Sequence, residues 1–399
     1  MKVYSALQEE RIRDRTSVRE WAASGMLDPA QSAALQAELG VELRQTHGFL
    51  RAVLFLFTSV IVIAGVALID TAIRPHEHTE WTAIFLLSGF VCWALAEFGC
   101  AKHLYRYGLE EALAVFSAVF LSMGIAEMFA RSSTSENIAL LLVGFLGGLL
   151  LYFRFGFVYA AVASMALASA IPFQLEIGSE EQRLLAVAFF ATVLALMLAR
   201  RWQQPNEPAG SGRSTIEAAS WLGIYLMLNL QLATAIFGVP YRLFFYSPNQ
   251  STIPEVHAWF YVTTWAMIWI LPAAGLWLGL RRKERMLMDV SMLMALLSLS
   301  TNKRYLGWTV HSWDPILLGM LLITVAILIR RWLQRGTNGE RSGFTAVRLL
   351  RSDERSLAAL SIASAALQPH AAASGQAQPE TGFREGGGKS GGGGATGDF

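Results

Sequence analysis

Long apolar stretches follow one another along most of the chain, separated by short polar segments. Each has about 18 or more residues, enough for an α-helix rising about 1.5 Å per residue to cross roughly 30 Å of hydrocarbon. The apolar residues form nearly continuous runs rather than the one-sided stripes of soluble helices. The pattern predicts about ten membrane-spanning helices, at residues 50–73, 81–101, 109–130, 135–153, 156–173, 183–200, 215–237, 257–280, 286–302 and 314–333.

The fold class predicted from this pattern is all-α, a polytopic transmembrane helix bundle over residues 50–333. Residues 334–368 are expected to form a cytoplasmic segment with one short helix at about 352–367. Residues 369–399 are rich in Gly and have too few apolar residues to fold, so a disordered tail is expected there.

The first 49 residues are too polar for a cleavable signal peptide and contain a predicted helical hairpin. Gly25 breaks a first helix, and Asp28 is placed to cap a second helix whose first turn holds Pro29 and Gln31. This hairpin is expected to remain in the cytoplasm.

Lys and Arg residues are distributed unevenly between alternate loops, which predicts the orientation of the bundle. Clusters such as Arg281, Arg282, Lys283 and Arg285 fall on one side. The other side has mostly single charges, at Arg74, Arg131, Arg183, Arg242, Lys303 and Arg304. The positive-inside rule therefore predicts an even number of spans with the N- and C-termini cytoplasmic, and the expected location is the cell inner (plasma) membrane.

Composition agrees with a chain whose main partner is the lipid bilayer. Hydrophobic residues make up 54% of the chain and charged residues only 16%, whereas soluble domains carry about 25% charged residues. The net charge of +2 provides no large basic field, so nucleic acid is not an expected partner. A second protein could bind through the N-terminal hairpin or the C-terminal tail.

The hairpin and one late segment resemble a known family. Trp21, Gly25, Met26, Leu27 and Gln31 follow the pattern W-x-x-x-G-[LI]-[IL]-x-x-x-Q, with Met26 departing from the usual aliphatic residue. The pattern is similar to the start of an uncharacterised bacterial family of predicted multi-pass membrane proteins, a domain of unknown function. The segment KRYLGWTVHSWDPILLGMLLITVAILIRRW resembles the family's closing pattern. The resemblance implies a multi-pass membrane topology. It implies nothing about activity, because the family has no established one.

Two acidic residues near the outer ends of predicted spans, Asp70 and Glu127, are candidates for a proton or ion relay. Ionisable groups within membrane spans are costly and often functional. We expect the two carboxylates to face each other across the outer half of the bundle. The alternative for these two residues, and for Glu97 and Asp289 nearer the cytoplasmic side, is solvation at the interface or pairing with a neighbouring Arg.

A second candidate site consists of histidines and a carboxylate on the predicted outer face, where they could bind a metal ion or another ligand. The alternative is that they are solvated loop residues, since their spacing is not diagnostic. The candidate residues are His76, His78, His257, His311 and Asp314.

The sequence lacks the motifs of familiar soluble enzymes. It has no Walker A, G-x-S-x-G or H-E-x-x-H sequence and no dinucleotide-binding Gly pattern in a suitable context, so no catalytic residue and no cofactor is predicted. The pattern favours a non-enzymatic interaction or regulatory component. The alternatives are a small-solute or ion transporter and a membrane enzyme acting on lipid-linked substrates.

Overall fold

The computed structural model describes Tyr4, His311 and residues 6–40, 46–129, 132–203, 212–232, 256–308, 313–335, 340–341 and 344–345. Over these residues the chain is helical apart from one pair of two-residue strands. The predicted helix at 352–367 and the Gly-rich tail at 369–399 lie outside the described residues.

From residue 48 onward, most helices begin and end within a few residues of a predicted span. The helices are α1 (Ala6–Ala23), α2 (Pro29–Glu38), α3 (Gly48–Ile73), α4 (His78–Ala101), α5 (Leu109–Met128), α6 (Ser133–Phe155), α7 (Val158–Ala170) with a 3₁₀ turn (Ile171–Gln174), α8 (Ser179–Gln203), α9 (Arg213–Leu228), α10 (Ala258–Arg282), α11 (Arg285–Tyr305) and α12 (Asp314–Gln334). Strand β1 (Glu340–Arg341) pairs antiparallel with β2 (Phe344–Thr345).

Six of the described helices are long and apolar enough to cross a membrane: α3, α4, α5, α6, α8 and α10. The segment Val158–Gln174 is apolar but shorter. The prediction of an all-helical chain with several membrane-length apolar helices is therefore confirmed. The helix α9 is shorter than the predicted span at 215–237, because its regular hydrogen bonding stops at Leu228.

Two helices lie at the centres of two groups. α5 packs against α3, α4 and α6, whereas α9 packs against α7, α8, α10 and α11. α7 connects the groups because it contacts α6 as well as α8 and α9. Charged side chains at the ends of α5 and α9 are consequently surrounded by neighbouring helices.

Glycines allow close contact between neighbouring helices. A Cβ at Gly89 would lie 3.1 Å from the backbone nitrogen of Leu121, and one at Gly124 would lie 3.1 Å from that of Leu86. α4 and α5 thus approach each other at two reciprocal points. The GxxxG at Gly275 and Gly279 packs in the same way against α11 of the same chain, so it serves ordinary helix packing.

Large apolar side chains cover much of the outer surface of the helices. On α3, Phe49 is 82% exposed and Leu68 is 70% exposed, and only 6% of the apolar window of this helix is buried. Continuous apolar surface of this extent is typical of helices that face lipid chains.

Candidate functional site

The first turn of α5 carries two adjacent buried glutamates. Glu111 is 3% exposed and accepts two hydrogen bonds from the Arg51 guanidinium of α3, at 2.8 and 2.5 Å. Glu110 is fully buried, and its Oε1 accepts the N–H of Tyr107 at 2.6 Å. Among the described residues its Oε2 has no hydrogen-bond partner. A helix N-terminus favours such negative charge, and the bidentate arginine fixes α3 against α5.

The first turns of α9 contain a similar arrangement. Glu217 is 1% exposed and accepts a hydrogen bond from Arg282 of α10 at 2.7 Å. Arg201 of α8 lies 3.6 Å from the other carboxylate oxygen and 2.5 Å from Glu284. Although Glu217 Oε2 has no hydrogen bond, it is within ion-pair distance of Arg201. This network joins the C-terminal ends of α8 and α10 to the N-terminal ends of α9 and α11.

Two of the acidic residues expected to pair with arginine do so. Glu97 of α4 accepts two hydrogen bonds from Arg154 of α6, at 2.7 and 2.9 Å. Asp289 lies 4.0 Å from Arg285, and both side chains are 64% exposed. Glu97 therefore links two helices, whereas Asp289 forms a loose pair on the surface.

Tyr4 inserts its ring between α4 and the segment before α5. Its hydroxyl donates to the carbonyl oxygen of Leu104 at 2.6 Å and contacts the Cys100 Sγ at 3.0 Å. The ring packs edge-on against Tyr105 with centroids 4.9 Å apart, and the residue is 5% exposed. Burial, and secondarily the contact with Cys100, raises the pKa of Tyr4, so the hydroxyl remains a donor at neutral pH.

A buried polar network surrounds the end of α9. Asn229 follows the last helical residue and has an extended backbone. Its Nδ2 donates to the Tyr225 hydroxyl at 2.9 Å and to the Thr301 hydroxyl at 3.2 Å. The Tyr225 hydroxyl also lies 3.0 Å from that of Ser298. These amide and hydroxyl groups link α9 to α11.

Carbonyl groups released where α9 ends are bound by side chains from other helices. Arg183 of α8 is 2% exposed and donates to the carbonyl oxygen of Met227. The Tyr305 hydroxyl donates to the carbonyl oxygen of Leu228 at 3.3 Å and accepts the N–H of Leu230 at 2.7 Å. The backbone groups at this helix end are therefore hydrogen-bonded to side chains of other helices.

The two residues of the expected relay do not touch each other. Glu127 lies 2.8 Å from Nδ1 of His78. The Asp70 carboxylate makes no hydrogen bond or ion pair in the part of the chain that the structure describes. The backbone carbonyl of Asp70 accepts the Arg74 N–H at 2.8 Å. No contact between Asp70 and Glu127 therefore supports a direct proton or ion relay between them.

The outer histidines occupy separate local pairs. His257 Nδ1 lies 3.0 Å from Glu180, and the backbone N–H of His76 donates to Glu80 at 2.7 Å. Asp314 accepts from Lys303 at 2.5 Å and from the His311 backbone N–H at 2.9 Å. Within the described ranges, no group of three or more His, Cys, Asp or Glu side chains could hold a metal ion.

Several of these polar residues were not singled out from the sequence, although Glu110, Glu111 and Asn229 left a signal there. Glu110 and Glu111 are adjacent carboxylates at the very start of a predicted span. Asn229 is one of two amides, with Gln231, inside the predicted span at 215–237. Tyr4 left none, because its partner residues are about one hundred positions away.

The described residues bring together ion pairs and a hydroxyl and amide network suited to holding helix ends in place. Comparison with known proteins adds no identity: no family model, no curated protein and no solved structure matches this chain.

Proposed function

We propose that the protein spans a bacterial inner membrane ten times, with both termini in the cytoplasm, and acts as a non-enzymatic interaction or regulatory component. The observation that carries this proposal is the burial of Tyr4 against Cys100, Leu104 and Tyr105. The N-terminal segment is thereby attached to the membrane domain. Binding of a partner to α1 and α2 would therefore be transmitted to α4 and α5.

Four further helices support the count of ten spans. α7 with its 3₁₀ turn, α9, α11 and α12 each fall in a predicted interval. Their addition to the six long apolar helices gives an even number, which agrees with the uneven distribution of Lys and Arg between alternate loops. The resemblance of the N-terminal pattern to an uncharacterised family of multi-pass membrane proteins is consistent with the same topology.

The helix pair α1 and α2 presents apolar side chains that the bundle does not cover. Leu7 is 58% exposed, Trp21 44% and Met26 55%. Exposed Trp and Met residues are common at protein contact surfaces. We therefore infer that a second protein binds the pair around Trp21.

A photo-crosslinking amino acid placed at Trp21 in living cells tests this proposal. A discrete protein adduct is expected at this position. The matched control is Arg19, which is exposed and, two residues away at about 100° per residue, points to a different side of α1. Equal diffuse labelling at both positions, or adducts to lipid alone, would contradict the proposal.

A small-solute or ion transporter is the second candidate, and the end of α9 at Asn229 favours it. Interrupted helices commonly form the binding sites of transporters, because their free backbone groups can contact the solute. Against this candidate, α3, α4, α5 and α6 are each continuous, whereas transporters built from repeats interrupt helices in both halves.

Ion flux into liposomes containing the purified protein would test the transporter candidate. A pH-sensitive dye inside the vesicles should report a flux that is lost in Arg183→Gln if the network at α9 lies on a pathway. A flux equal to that of empty liposomes would remove this candidate. The third candidate, an enzyme acting on lipid-linked substrates, needs the outer histidines and carboxylates to converge on one site, whereas the described ones lie in separate pairs, His78 with Glu127 and His257 with Glu180.

A further inference from the structure

An apolar crevice lies between α6 and α8, with α7 also lining it. It has a volume of about 470 Å³, within the range of roughly 300–1,000 Å³ typical of small-molecule sites. Ala161 and Met165 of α7 line it. Phe153 and Leu196, also among its lining residues, are each 57% exposed, so the crevice opens to the surroundings of the bundle.

The crevice is confined to one half of the proposed membrane. Phe145 and Phe189 are the lining residues farthest from the end of α8, and their rings pack edge to face with centroids 6.3 Å apart. Gln203 at the end of α8 also lines it. Gln203 lies fourteen residues after Phe189, so the helix rises about 21 Å between them, the distance from the bilayer middle to the headgroup region.

The end of this crevice at the last turn of α8 carries polar groups. Arg200 and Gln203 are both exposed lining residues on the last turn of α8. In the described part of the chain the Arg200 guanidinium has no hydrogen bond or ion pair, whereas its neighbour Arg201 binds Glu284. A helix C-terminus favours a cation, and the Arg200 guanidinium is also placed to meet an anionic group at the mouth of the crevice.

We propose that this crevice binds an anionic phospholipid of the cytoplasmic leaflet, with one acyl chain between α6 and α8 and the headgroup phosphate at Arg200 and Gln203. The inference rests on the membrane topology proposed above and goes beyond the proposed function. The apolar walls match a hydrocarbon chain, and basic residues at the cytoplasmic ends of helices select anionic headgroups. Arginine is suited to phosphate because its planar group donates two parallel hydrogen bonds.

Native mass spectrometry of the detergent-solubilised full chain can count the bound lipids. Phosphatidylglycerol and phosphatidylcholine with identical acyl chains are added separately. We expect a preference for phosphatidylglycerol that falls about fivefold in Arg200→Gln, which corresponds to about 1 kcal/mol for one arginine near an anionic surface. Soluble glycerol phosphate at the same concentration should not compete, because it lacks the chain that fills the crevice.

Arg281→Gln is the matched control. Arg281 is also an exposed arginine on the last turn of an apolar helix, but it stacks over the Trp277 ring and does not line the crevice. This variant should keep the wild-type preference. Equal effects of the two substitutions, or equal binding of both lipids by the wild type, would overturn the assignment of the headgroup site.

A second pair of variants tests the crevice itself. Ala199 is exposed and lines the crevice, so Ala199→Trp should fill it and reduce the occupancy of both lipids. Ala195 is exposed on the same helix outside the lining, so Ala195→Trp should leave occupancy unchanged. Equal occupancy in these two variants would overturn the proposal. If the protein binds no lipid while reporter fusions still give a ten-span pattern, the lipid proposal has failed and the proposed topology has not.

Discussion

Single buried residues hold the helix ends of this protein together, and Glu217 does so for four helices at once. Its carboxylate is 1% exposed and is surrounded by Arg282 and Arg201. A charge this deeply buried is unfavourable without its partners. The ion pairs of Glu217 therefore matter for the free energy of unfolding mainly because removing one member leaves the other buried and unpaired. The contribution should therefore appear when either member is changed.

We predict that Glu217→Gln destabilises the protein by about 1.5–3 kcal/mol, the range for hydrogen bonds that involve a charged group. Thermal unfolding in detergent, followed by Trp fluorescence, measures the change. Asp289→Asn is the control, because Asp289 lies 4.0 Å from Arg285 and both side chains are 64% exposed. Such surface pairs contribute about 0–1 kcal/mol. Equal effects of the two variants would show that burial of Glu217 has no energetic consequence.

Gly108 is the second residue at which the structure tolerates little change. Its φ of 102° is unfavourable for other residues, and a Cβ there would collide with the carbonyl oxygen of Arg51. We predict that Gly108→Ala costs at least about 1–3 kcal/mol from backbone strain alone. Gly65→Ala in α3, where no atom lies within 4 Å, should be neutral or slightly stabilising in the same unfolding assay. A neutral Gly108→Ala would contradict the close approach of α3 and α5.

At the scale of helices, contact through small residues decides which helices pair. Gly279 allows α10 to approach the backbone nitrogen of Met288 in α11, where a Cβ would lie 3.2 Å away. Helix association in membranes depends on such packing, since lipid chains are as apolar as the side chains they replace.

We predict that Gly279→Leu weakens the contact between α10 and α11 by about 1–3 kcal/mol, as overpacking does elsewhere. Gly319→Leu in α12, where no neighbouring atom lies within 4 Å, should have no comparable effect. The unfolding midpoint of each variant in detergent measures the difference. If both variants unfold like the wild type, the packing role of Gly279 is wrong.

The apolar runs were sufficient to predict where helices lie, because length and hydrophobicity are local properties of the sequence. They could not predict that α9 ends at Asn229, because the two amides Asn229 and Gln231 leave the long run at 215–237 apolar enough for a span. Nor could they predict which charges meet. Glu127 was expected to face Asp70 and lies beside His78 instead, since that choice depends on how α4 and α5 are rotated against each other.

For the whole molecule, the proposed topology assigns every connection to one side of the membrane. Reporter fusions active only outside the cytoplasm should give a signal after positions such as 75, 131, 177 and 311. Fusions at 104, 156, 207, 283 and 337 should be active only with a cytoplasmic reporter. If one segment from α3 to α8 failed to cross, Arg200 and Arg281 would lie on the outer side, and if one from α4 to α9 failed to cross, His78 and His257 would lie on opposite sides.

The attachment of Tyr4 has a consequence for the order of events during synthesis. Leu104, whose carbonyl binds the tyrosine hydroxyl, is translated 100 residues later. At roughly 5–20 residues per second, the ribosome reaches it roughly 5–20 s after Tyr4. Until then the emerging N-terminal segment has no place to dock and is open to chaperones and proteases. Its protection from digestion during translation would thus report that α3 and α4 have entered the bilayer.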